Sequence, residues 1–165
     1  MSDPELSDLL ALTAHLPEHR LDAGAVIMEE GSDGGEIWIL VDGALNISKG
    51  GIVVNRVSHP GSTLGEISVL LGAPHSATVE AAVPSVLRLA ADGRALLSSH
   101  PTISHLIAIT LAERLSFVTT YLSDLQHQYG NAAGLTMVKD VLAQLEQRRG
   151  PRATPGSARE PDPAY

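Results

Sequence analysis

Two patterns of apolar and polar positions divide the chain. From Arg20 to Arg88, short apolar runs rich in Ile, Val and Leu are separated by glycines, which is typical of strands joined by turns. Asp42-Gly43 and Lys49-Gly50-Gly51 are predicted to form tight hairpin turns. Short strands at even spacing predict an antiparallel β-barrel or jelly roll. The predicted strands lie around Leu21 and over residues 26–28, 36–41, 44–48, 52–57, 77–81 and 86–89.

Helical periodicity marks the two ends of the chain. Residues 3–15 predict a short amphipathic helix that Ser2 or Asp3 caps, and Asp92 is a predicted cap for a helix over 93–99. A long helix is predicted from Pro101 to about Gln128, and Gly130-Asn131 is expected to end it. The fold class is therefore α+β. The predicted segments are an N-terminal helix (1–19), a barrel domain that includes the long helix (20–129), a short C-terminal helix (130–148) and a disordered tail (149–165).

Residues 64–81, here called the cassette, carry the most informative pattern. Gly65-Glu66 opens a short apolar run that is predicted to be helical, and Gly72-Ala73-Pro74 ends it. The first turn of such a helix presents unpaired N–H groups that suit an anion. The Glu66 carboxylate can accept from a hydroxyl, and His75-Ser76 adds a hydroxyl and an ionisable ring. The pattern suits a ligand that carries both a sugar hydroxyl and a phosphate.

The cassette resembles the phosphate-binding cassette of cyclic nucleotide-binding domains, which occur in the catabolite activator family and in nucleotide-regulated kinases and channels. The matching positions are Gly65, Glu66, Ile67, Ser68, Leu70, Leu71, Pro74, Ser76, Ala77, Thr78 and Val79. Upstream, Gly24, Ile27, Glu30-Gly31, Gly35-Glu36, Trp38-Ile39-Leu40 and Gly43 resemble the glycine-rich strand pattern of the same family. The resemblance extends over about residues 21–125 and implies a jelly-roll barrel with a long helix.

The resemblance also implies a role for each site residue. Glu66 would hold a ribose hydroxyl, and Ser76 with the Ala77 N–H would hold the cyclic phosphate. Arg114 would pair with Glu66 from the long helix, and Thr119 would lie near the base. The ligand-binding residues implied are Gly65, Glu66, Ile67, His75, Ser76, Ala77, Arg114 and Thr119. The implied ligand is cyclic AMP or cyclic GMP, and the implied output is a movement of the long helix.

His75 stands where the family has arginine. Arginine supplies a permanent charge and a bidentate fork to phosphate, whereas neutral imidazole supplies one donor. Protonation of His75 would restore a cation and strengthen binding at acidic pH. Three functions follow as alternatives: a cyclic nucleotide sensor, a site for a different anionic small molecule, and a degenerate, ligand-free domain that serves dimerisation or protein–protein interaction. In the family the long helix pairs with its copy, so a homodimer is expected.

Composition narrows the class of protein. The 165 residues carry a net charge of −8 and no cysteine, which argues against a nucleic-acid surface, disulfides and thiolate metal sites. Dispersed histidines and the lack of hydrolase or P-loop motifs predict no enzyme, no metal and no cofactor beyond the ligand. No apolar run approaches the length of a membrane helix, so a cytoplasmic protein is expected. The stretch after Gly130 shows no helix-turn-helix pattern, and a standalone effector domain is expected.

Overall fold

In the part of the chain that the structure describes, eight strands form two four-stranded antiparallel sheets. One sheet has the strand order β1-β8-β3-β6 and the other the order β2-β7-β4-β5. The strands are β1 (Glu18–Leu21), β2 (Val26–Met28), β3 (Ile37–Asp42), β4 (Leu45–Lys49), β5 (Ile52–Val57), β6 (Thr63–Leu64), β7 (Thr78–Ala81) and β8 (Ser85–Ala90). The helices are α1 (Pro4–Leu12), α2 (Glu66–Leu71), α3 (Gly93–Ser99), α4 (Pro101–Tyr129) and α5 (Thr136–Gln147). The α+β, jelly-roll-like prediction is confirmed.

This computed structural model describes residues 4–129 and 136–147. The predicted cap at residues 2 and 3, the helix stop at residues 130–131 and the predicted disordered tail lie outside those ranges. The chain divides into two compact units, Met1–Thr110 and Leu111–Tyr165. All strands belong to the first unit, and the second contains α5 and the C-terminal part of α4.

A hydrophobic core lies within the first unit and draws residues from both sheets. Alternation is clear along β7, where Val79 and Ala81 point inward, as expected for a half-buried strand. Leu40, Leu45 and Leu87 are fully buried. The full set of buried residues in this cluster is Met28, Leu40, Leu45, Leu64, Val79, Ala81 and Leu87. This core fixes the strands that hold the cassette.

One of the two predicted hairpins is correct. Lys49 and Ile52 pair across β4 and β5, so Gly50 and Gly51 form a two-residue turn. Their φ angles of 56° and 80° are those of the type I′ turn, which matches the twist of a hairpin. Such angles are strained for other residues, and the Gly-Gly pair therefore decides the turn.

The other hairpin prediction, at Asp42-Gly43, is wrong. β3 ends at Asp42 and pairs with β8 and β6, whereas β4 pairs with β5 and β7. The chain therefore crosses from one sheet to the other at this turn. Gly43 has a φ of 103° and lies directly against Ser85, so a side chain there would collide with Ser85. The Ser85 hydroxyl oxygen accepts a hydrogen bond of 3.2 Å from the Ala44 N–H and secures the crossing.

The predicted helices match the structure closely. The Asp92 side chain accepts a 2.8 Å hydrogen bond from the Ala95 N–H, which confirms it as the cap of α3. α4 begins at Pro101, as expected for a residue without an N–H to satisfy. Its first turns bury Ile103 and Ile107 in the first unit. The short strand β6 was not predicted, because residues 59–64 carry only loop signals.

One helix departs from the expectation that no segment could span a membrane. Residues Pro101–Leu125 are long and apolar enough to do so by length and composition alone. Glu113 and Arg114 interrupt the apolar run, yet the mean hydropathy of an 18-residue stretch of this helix is still high enough for a membrane span. Among the described residues this is the single helix with that length and composition, which the core helices of soluble proteins can share.

Candidate ligand-binding site

The cassette begins at a glycine that no other residue can replace without strain. Gly65 precedes α2 with a φ of 90°, in the left-handed region. A Cβ at this position would lie 2.5 Å from the Glu36 carbonyl oxygen, far inside normal contact distance. The backbone at the start of α2 therefore passes directly over the start of β3. This close approach sets the entry angle of the cassette helix.

Helix α2 places a carboxylate inside the protein. Glu66 is only 2% exposed, although its side chain is an ionisable carboxyl group, and it lies in the first turn. Ile67, the next residue, points outward and is 41% exposed. The helix ends at Gly72, whose left-handed conformation lets its N–H donate to the Ser68 carbonyl. Glu66 thus faces inward and Ile67 outward, on opposite sides of the six-residue helix.

His75 is buried and holds the cassette to the start of β3. Its ring nitrogen Nε2 lies 3.1 Å from Glu36 Oε1, and Nδ1 lies 3.2 Å from the Ser68 hydroxyl. The His75 side chain is 3% exposed and that of Glu36 is 27% exposed. We call His75, Glu36 and Ser68 the latch, because together they connect α2, the loop after it and β3. Both ring nitrogens therefore have partners within the protein.

The latch retains its hydrogen bonds in both protonation states of His75. An ionised carboxylate only accepts, so the ring donates to Glu36 through Nε2–H. When the ring is neutral, the Ser68 hydroxyl donates to Nδ1. When the ring is protonated, Nδ1–H donates to the Ser68 oxygen, and the Ser68 hydroxyl has the Pro74 carbonyl at 3.4 Å as an alternative acceptor. His75 can therefore hold the cassette in either state.

Backbone hydrogen bonds reinforce the latch. The Gly31 N–H donates to the His75 carbonyl at 2.8 Å, and the His75 N–H donates to the Ser32 carbonyl at 2.9 Å. Gly34 packs against the other side of the ring, where an added Cβ would meet Ser68 Cβ at 2.9 Å and His75 Cε1 at 3.0 Å. The turn at residues 29–36 is therefore shaped around the imidazole.

Ser76 and Ala77 follow the latch and present unused donors. Ser76 is exposed and Ala77 is half-buried. Within the described ranges, neither N–H of these two residues donates to a protein acceptor, and the Ser76 hydroxyl has no protein partner. The Ser76 carbonyl does have a partner, since it accepts a 3.0 Å hydrogen bond from Lys49 Nζ. Three donors on two adjacent residues are a suitable arrangement for an oxyanion.

The tip of the β4–β5 hairpin is attached to the same region. The Gly50 N–H donates to Glu30 Oε2 at 2.7 Å, and the Glu30 N–H donates to the Thr78 hydroxyl at 3.0 Å. These bonds connect the hairpin, the 29–36 turn and the start of β7. Lys49, which comes directly before Gly50, is consequently placed beside the end of the cassette.

The structure brings six of the eight predicted site residues together in the first unit. Gly65, Glu66 and Ile67 lie at the start of α2, and His75, Ser76 and Ala77 follow it. Arg114 and Thr119 belong to the second unit, on the C-terminal part of α4. Thr119 donates its hydroxyl hydrogen to the Leu115 carbonyl at 2.8 Å, a bond within its own helix. The roles predicted for these two residues remain predictions.

A separate cleft of about 460 Å³ lies next to the latch. The turn at residues 33–35, the end of α2 and the start of α3 line it, with Ser68, Asp92 and Arg94 among its polar residues. None of the six clustered site residues lines this cleft. It is therefore distinct from the surface that carries Ser76 and Ala77.

The family model for the cyclic nucleotide-binding domain matches residues 18–98. That range begins with β1, ends within α3 and contains the whole cassette. The chain contains a cyclic nucleotide-binding domain. The resemblance drawn from the cassette and the upstream glycines is confirmed, and the domain belongs to a family of regulatory ligand-binding modules.

Relatives of the domain occur in regulatory proteins. A cAMP-dependent protein kinase regulatory subunit of Yarrowia lipolytica is 40% identical over 72 residues, which cover 44% of this chain and 19% of the relative. A cyclic nucleotide-gated potassium channel of Mesorhizobium japonicum is 35% identical over 109 residues, which cover 64% of this chain and 30% of the channel. The chain thus spans about a fifth to a third of the length of these curated relatives.

Solved structures show the same fold. A structure from work on a cyclic-GMP-dependent signalling pathway in bacterial phytopathogenesis has a TM-score of 0.56 at 22% identity, covering 70% of this chain and 96% of that chain. A cyclic nucleotide-binding domain of Methylobacillus flagellatus has a TM-score of 0.55 at 20% identity, covering 75% and 72% respectively. At these identities the similarity describes the architecture of the domain.

Sequence reasoning missed three residues that shape the domain's site. Glu36, Ser68 and Lys49 hold His75 or Ser76, and none was assigned a role from the sequence alone. Glu36 lies 39 positions from His75, and Lys49 lies 27 positions from Ser76. A signal was available for two of them, because Glu36 and Ser68 both lie at positions that match the family pattern.

Proposed function

We propose that this domain is a regulatory sensor that binds a cyclic nucleotide, cyclic AMP or cyclic GMP, at the cassette. The family match over residues 18–98 supports this function. The names of the relatives, a cAMP-dependent kinase regulatory subunit and a cyclic nucleotide-gated channel, support the same ligand class. Neither relative is an enzyme by name at this domain, and we assign the domain no catalytic role.

The observation that carries the proposal is the set of unused donors at Ser76 and Ala77. A half-buried backbone N–H such as that of Ala77 is normally satisfied by the protein or by water, so its lack of a protein acceptor, beside the exposed N–H and hydroxyl of Ser76, supports a position for a ligand oxyanion. A cyclic phosphate has one negative charge and two free oxygens, which suits a small number of neutral donors. Glu66 supplies an inward-facing carboxylate for a ribose hydroxyl on the same cassette.

His75 acts in this proposal by positioning the cassette. The latch fixes the residue directly before Ser76 on both its side chain and its backbone. The donors at Ser76 and Ala77 are thereby held before the ligand arrives, which reduces the ordering cost of binding. A direct contact of His75 with the ligand would require the ring to leave Glu36 or Ser68.

Ligand binding would be transmitted through α4. In this proposal Arg114 and Thr119 contact Glu66 or the ligand in one placement of the helix, and the ligand shifts the population toward that placement. Leu115, Phe117 and Val118 are exposed apolar residues on α4, which supports a homodimer through this helix or a protein partner. We place the protein in the cytoplasm, as suits a regulatory-subunit-like domain.

One observation favours a second function, a ligand-free domain used for dimerisation or protein–protein interaction. The residue at the family's arginine position is fully engaged by the latch, so the cassette keeps its shape without a ligand. In this alternative the cassette is structural and α4 carries the function. The two functions differ in whether Ser76, Ala77 and Glu66 contact a ligand.

Calorimetric titration with cyclic AMP and cyclic GMP tests the proposal. Glu66→Gln keeps the shape of the side chain but removes the charged acceptor. A hydrogen bond to a charged group contributes about 1.5–3 kcal/mol, so we expect binding about 10- to 150-fold weaker. Asp42→Asn, at the exposed end of β3, is the matched control and should leave the affinity unchanged.

The ligand panel decides between the two functions. Linear 5′-AMP should bind more weakly than cyclic AMP, because a site of neutral donors does not compensate a second phosphate charge. If neither cyclic nucleotide binds at millimolar concentration while the protein is folded, the cyclic nucleotide sensor is refuted, which leaves the ligand-free function and a site for a different anionic molecule. Equal binding by the native protein and Glu66→Gln would remove Glu66 from the site.

A further inference from the structure

The amine of Lys49 lies at the end of the cassette, where it donates to the Ser76 carbonyl at 3.0 Å. We propose that Lys49 is a positioning residue that orients the Ser76–Ala77 peptide, so that the Ala77 N–H faces the anionic group of the ligand. This inference rests on the proposed function, because it names how the same site recognises a phosphate. It assigns the positive charge of the site to the β4–β5 hairpin instead of position 75.

The geometry of a trans peptide supports this role. The C=O and N–H groups of one peptide unit point in opposite directions, and the described chain has no cis peptide. A hydrogen bond that fixes the Ser76 carbonyl toward Lys49 therefore fixes the Ala77 N–H away from the hairpin. That N–H donates to no acceptor in the part of the protein that the structure describes. It is held in one direction and remains available.

The charge of Lys49 acts through the same peptide. An ammonium group has three donors, and the Ser76 carbonyl takes one. A cation bound to the carbonyl polarises the peptide, which strengthens its N–H as a donor on the far side. An anion on the Ala77 N–H would lie roughly 8 Å from Nζ, within the range of a favourable interaction at moderate ionic strength.

Other cations of the first unit have different partners or positions. Arg88 is occupied by Glu18 and by the Leu10 carbonyl. Arg94 lines the separate cleft. Lys49, in contrast, forms no ion pair with any carboxylate among the described residues. Its charge is therefore uncompensated at close range, as a residue that acts on an anion requires.

The hairpin tip is built to keep Lys49 in this place. Gly50, its neighbour, is bound to Glu30, and the left-handed conformation of Gly50 and Gly51 fixes the turn. The Glu30 carboxylate accepts this hydrogen bond from the Gly50 N–H at 2.7 Å. The backbone of Lys49 is therefore fixed, and only its side chain has to reach the cassette.

The test compares Lys49→Met with Arg56→Met, which removes the same charge from the exposed side of the same hairpin. In calorimetric titrations with cyclic AMP and cyclic GMP, Lys49→Met should bind about tenfold more weakly. Arg56→Met should stay within about twofold of the native protein. Lys49→Arg keeps the charge and the donors and should restore most of the affinity, a rescue that mere loss of packing would not give.

A second measurement needs no nucleotide. In ¹H–¹⁵N spectra of the ligand-free protein, Lys49→Met should move the Ala77 amide resonance, whereas Arg56→Met should leave it in place. An unmoved Ala77 resonance overturns the inference, whether or not the native protein binds a nucleotide. A moved resonance with unchanged nucleotide affinity also overturns it, because orientation would then not matter to the ligand. If the native protein binds neither nucleotide, the proposed function fails, and the Ala77 resonance alone decides whether Lys49 orients the peptide.

Discussion

Gly34→Ala tests whether the latch holds the cassette in the way the structure indicates. Gly34 is exposed, and its φ lies outside the left-handed region, so alanine is acceptable to the backbone. The added Cβ would nevertheless lie 2.9 Å from Ser68 Cβ and 3.0 Å from His75 Cε1. The ring or the serine must move by a few tenths of an ångström. Either movement lengthens the hydrogen bonds of His75 to Glu36 and Ser68.

The expected cost is about 1–3 kcal/mol of unfolding free energy. Forcing an extra methyl group into a packed site costs about that amount. A weakened hydrogen bond between His75 and the Glu36 carboxylate contributes within the same range. For a protein of this size, the midpoint of thermal unfolding should fall by roughly 3–9 °C.

Gly35→Ala is the matched control one position later. Its Cβ would meet nothing within 4 Å, and its φ also lies outside the left-handed region. The variant should therefore change the unfolding free energy by less than about 0.5 kcal/mol. Chemical and thermal unfolding of the two variants, followed by circular dichroism, gives the comparison directly.

The His75→Ala background shows whether the effect passes through the ring. Without the imidazole, the Cβ added by Gly34→Ala still meets Ser68 but no longer meets the ring at position 75. The loss of unfolding free energy caused by Gly34→Ala should therefore be about half as large in this background. Equal costs for Gly34→Ala and Gly35→Ala in the native background would refute the packing described for the latch. An unchanged cost of Gly34→Ala after removal of the ring would assign the effect to Ser68 alone.

Two further predictions concern backbone positions. Gly65→Ala should lower the unfolding free energy by more than about 2 kcal/mol, because it adds a clash with the Glu36 carbonyl to a left-handed φ. Gly72→Ala has the same kind of strained φ but open space around it, and should lower the unfolding free energy by about 1–2 kcal/mol. Urea unfolding of both variants separates the clash from the backbone strain, and equal losses would argue against the close approach at Gly65. Asp92→Ala should lower the unfolding free energy by about 1 kcal/mol, because the hydrogen bond from the Ala95 N–H is lost. Asp92→Asn keeps an acceptor oxygen and should retain most of the stability. If Asp92→Asn loses as much stability as Asp92→Ala, capping is not the cause.

Local signals determined how far the fold could be predicted. The Gly50-Gly51 turn, the Asp92 cap and the start of α4 each depend on residues next to one another in the chain, and each prediction was correct. The Asp42-Gly43 prediction failed because a turn signal does not state which strands pair. In the folded protein β3 pairs with β8 and β4 with β7, partners that lie far along the chain from each other. β6 has two residues and offers no periodicity to detect.

In the candidate site, too, residues that are close in the sequence were predicted and their distant partners were not. Gly65, Glu66, Ser76 and Ala77 were found because the cassette is one continuous stretch. The partners that orient it come from other strands and turns, so their proximity is a product of the fold. Imidazole at position 75 was interpreted from the sequence as a substitute for a cation, and its contacts with Glu36 and Ser68 were not predicted, although both lie at positions that match the family pattern.

The fit of Gly34 around His75 has a consequence for substitution at position 75. A guanidinium is longer and broader than an imidazole, so His75→Arg places a new side chain where Gly34 and Ser68 leave space for a flat five-membered ring. The side chains at positions 68 and 75 and the missing side chain at position 34 are therefore coupled through packing, although they are separated in the sequence. A change at position 75 alters the contacts of both neighbours, so its effect on stability depends on the residues at 34 and 68.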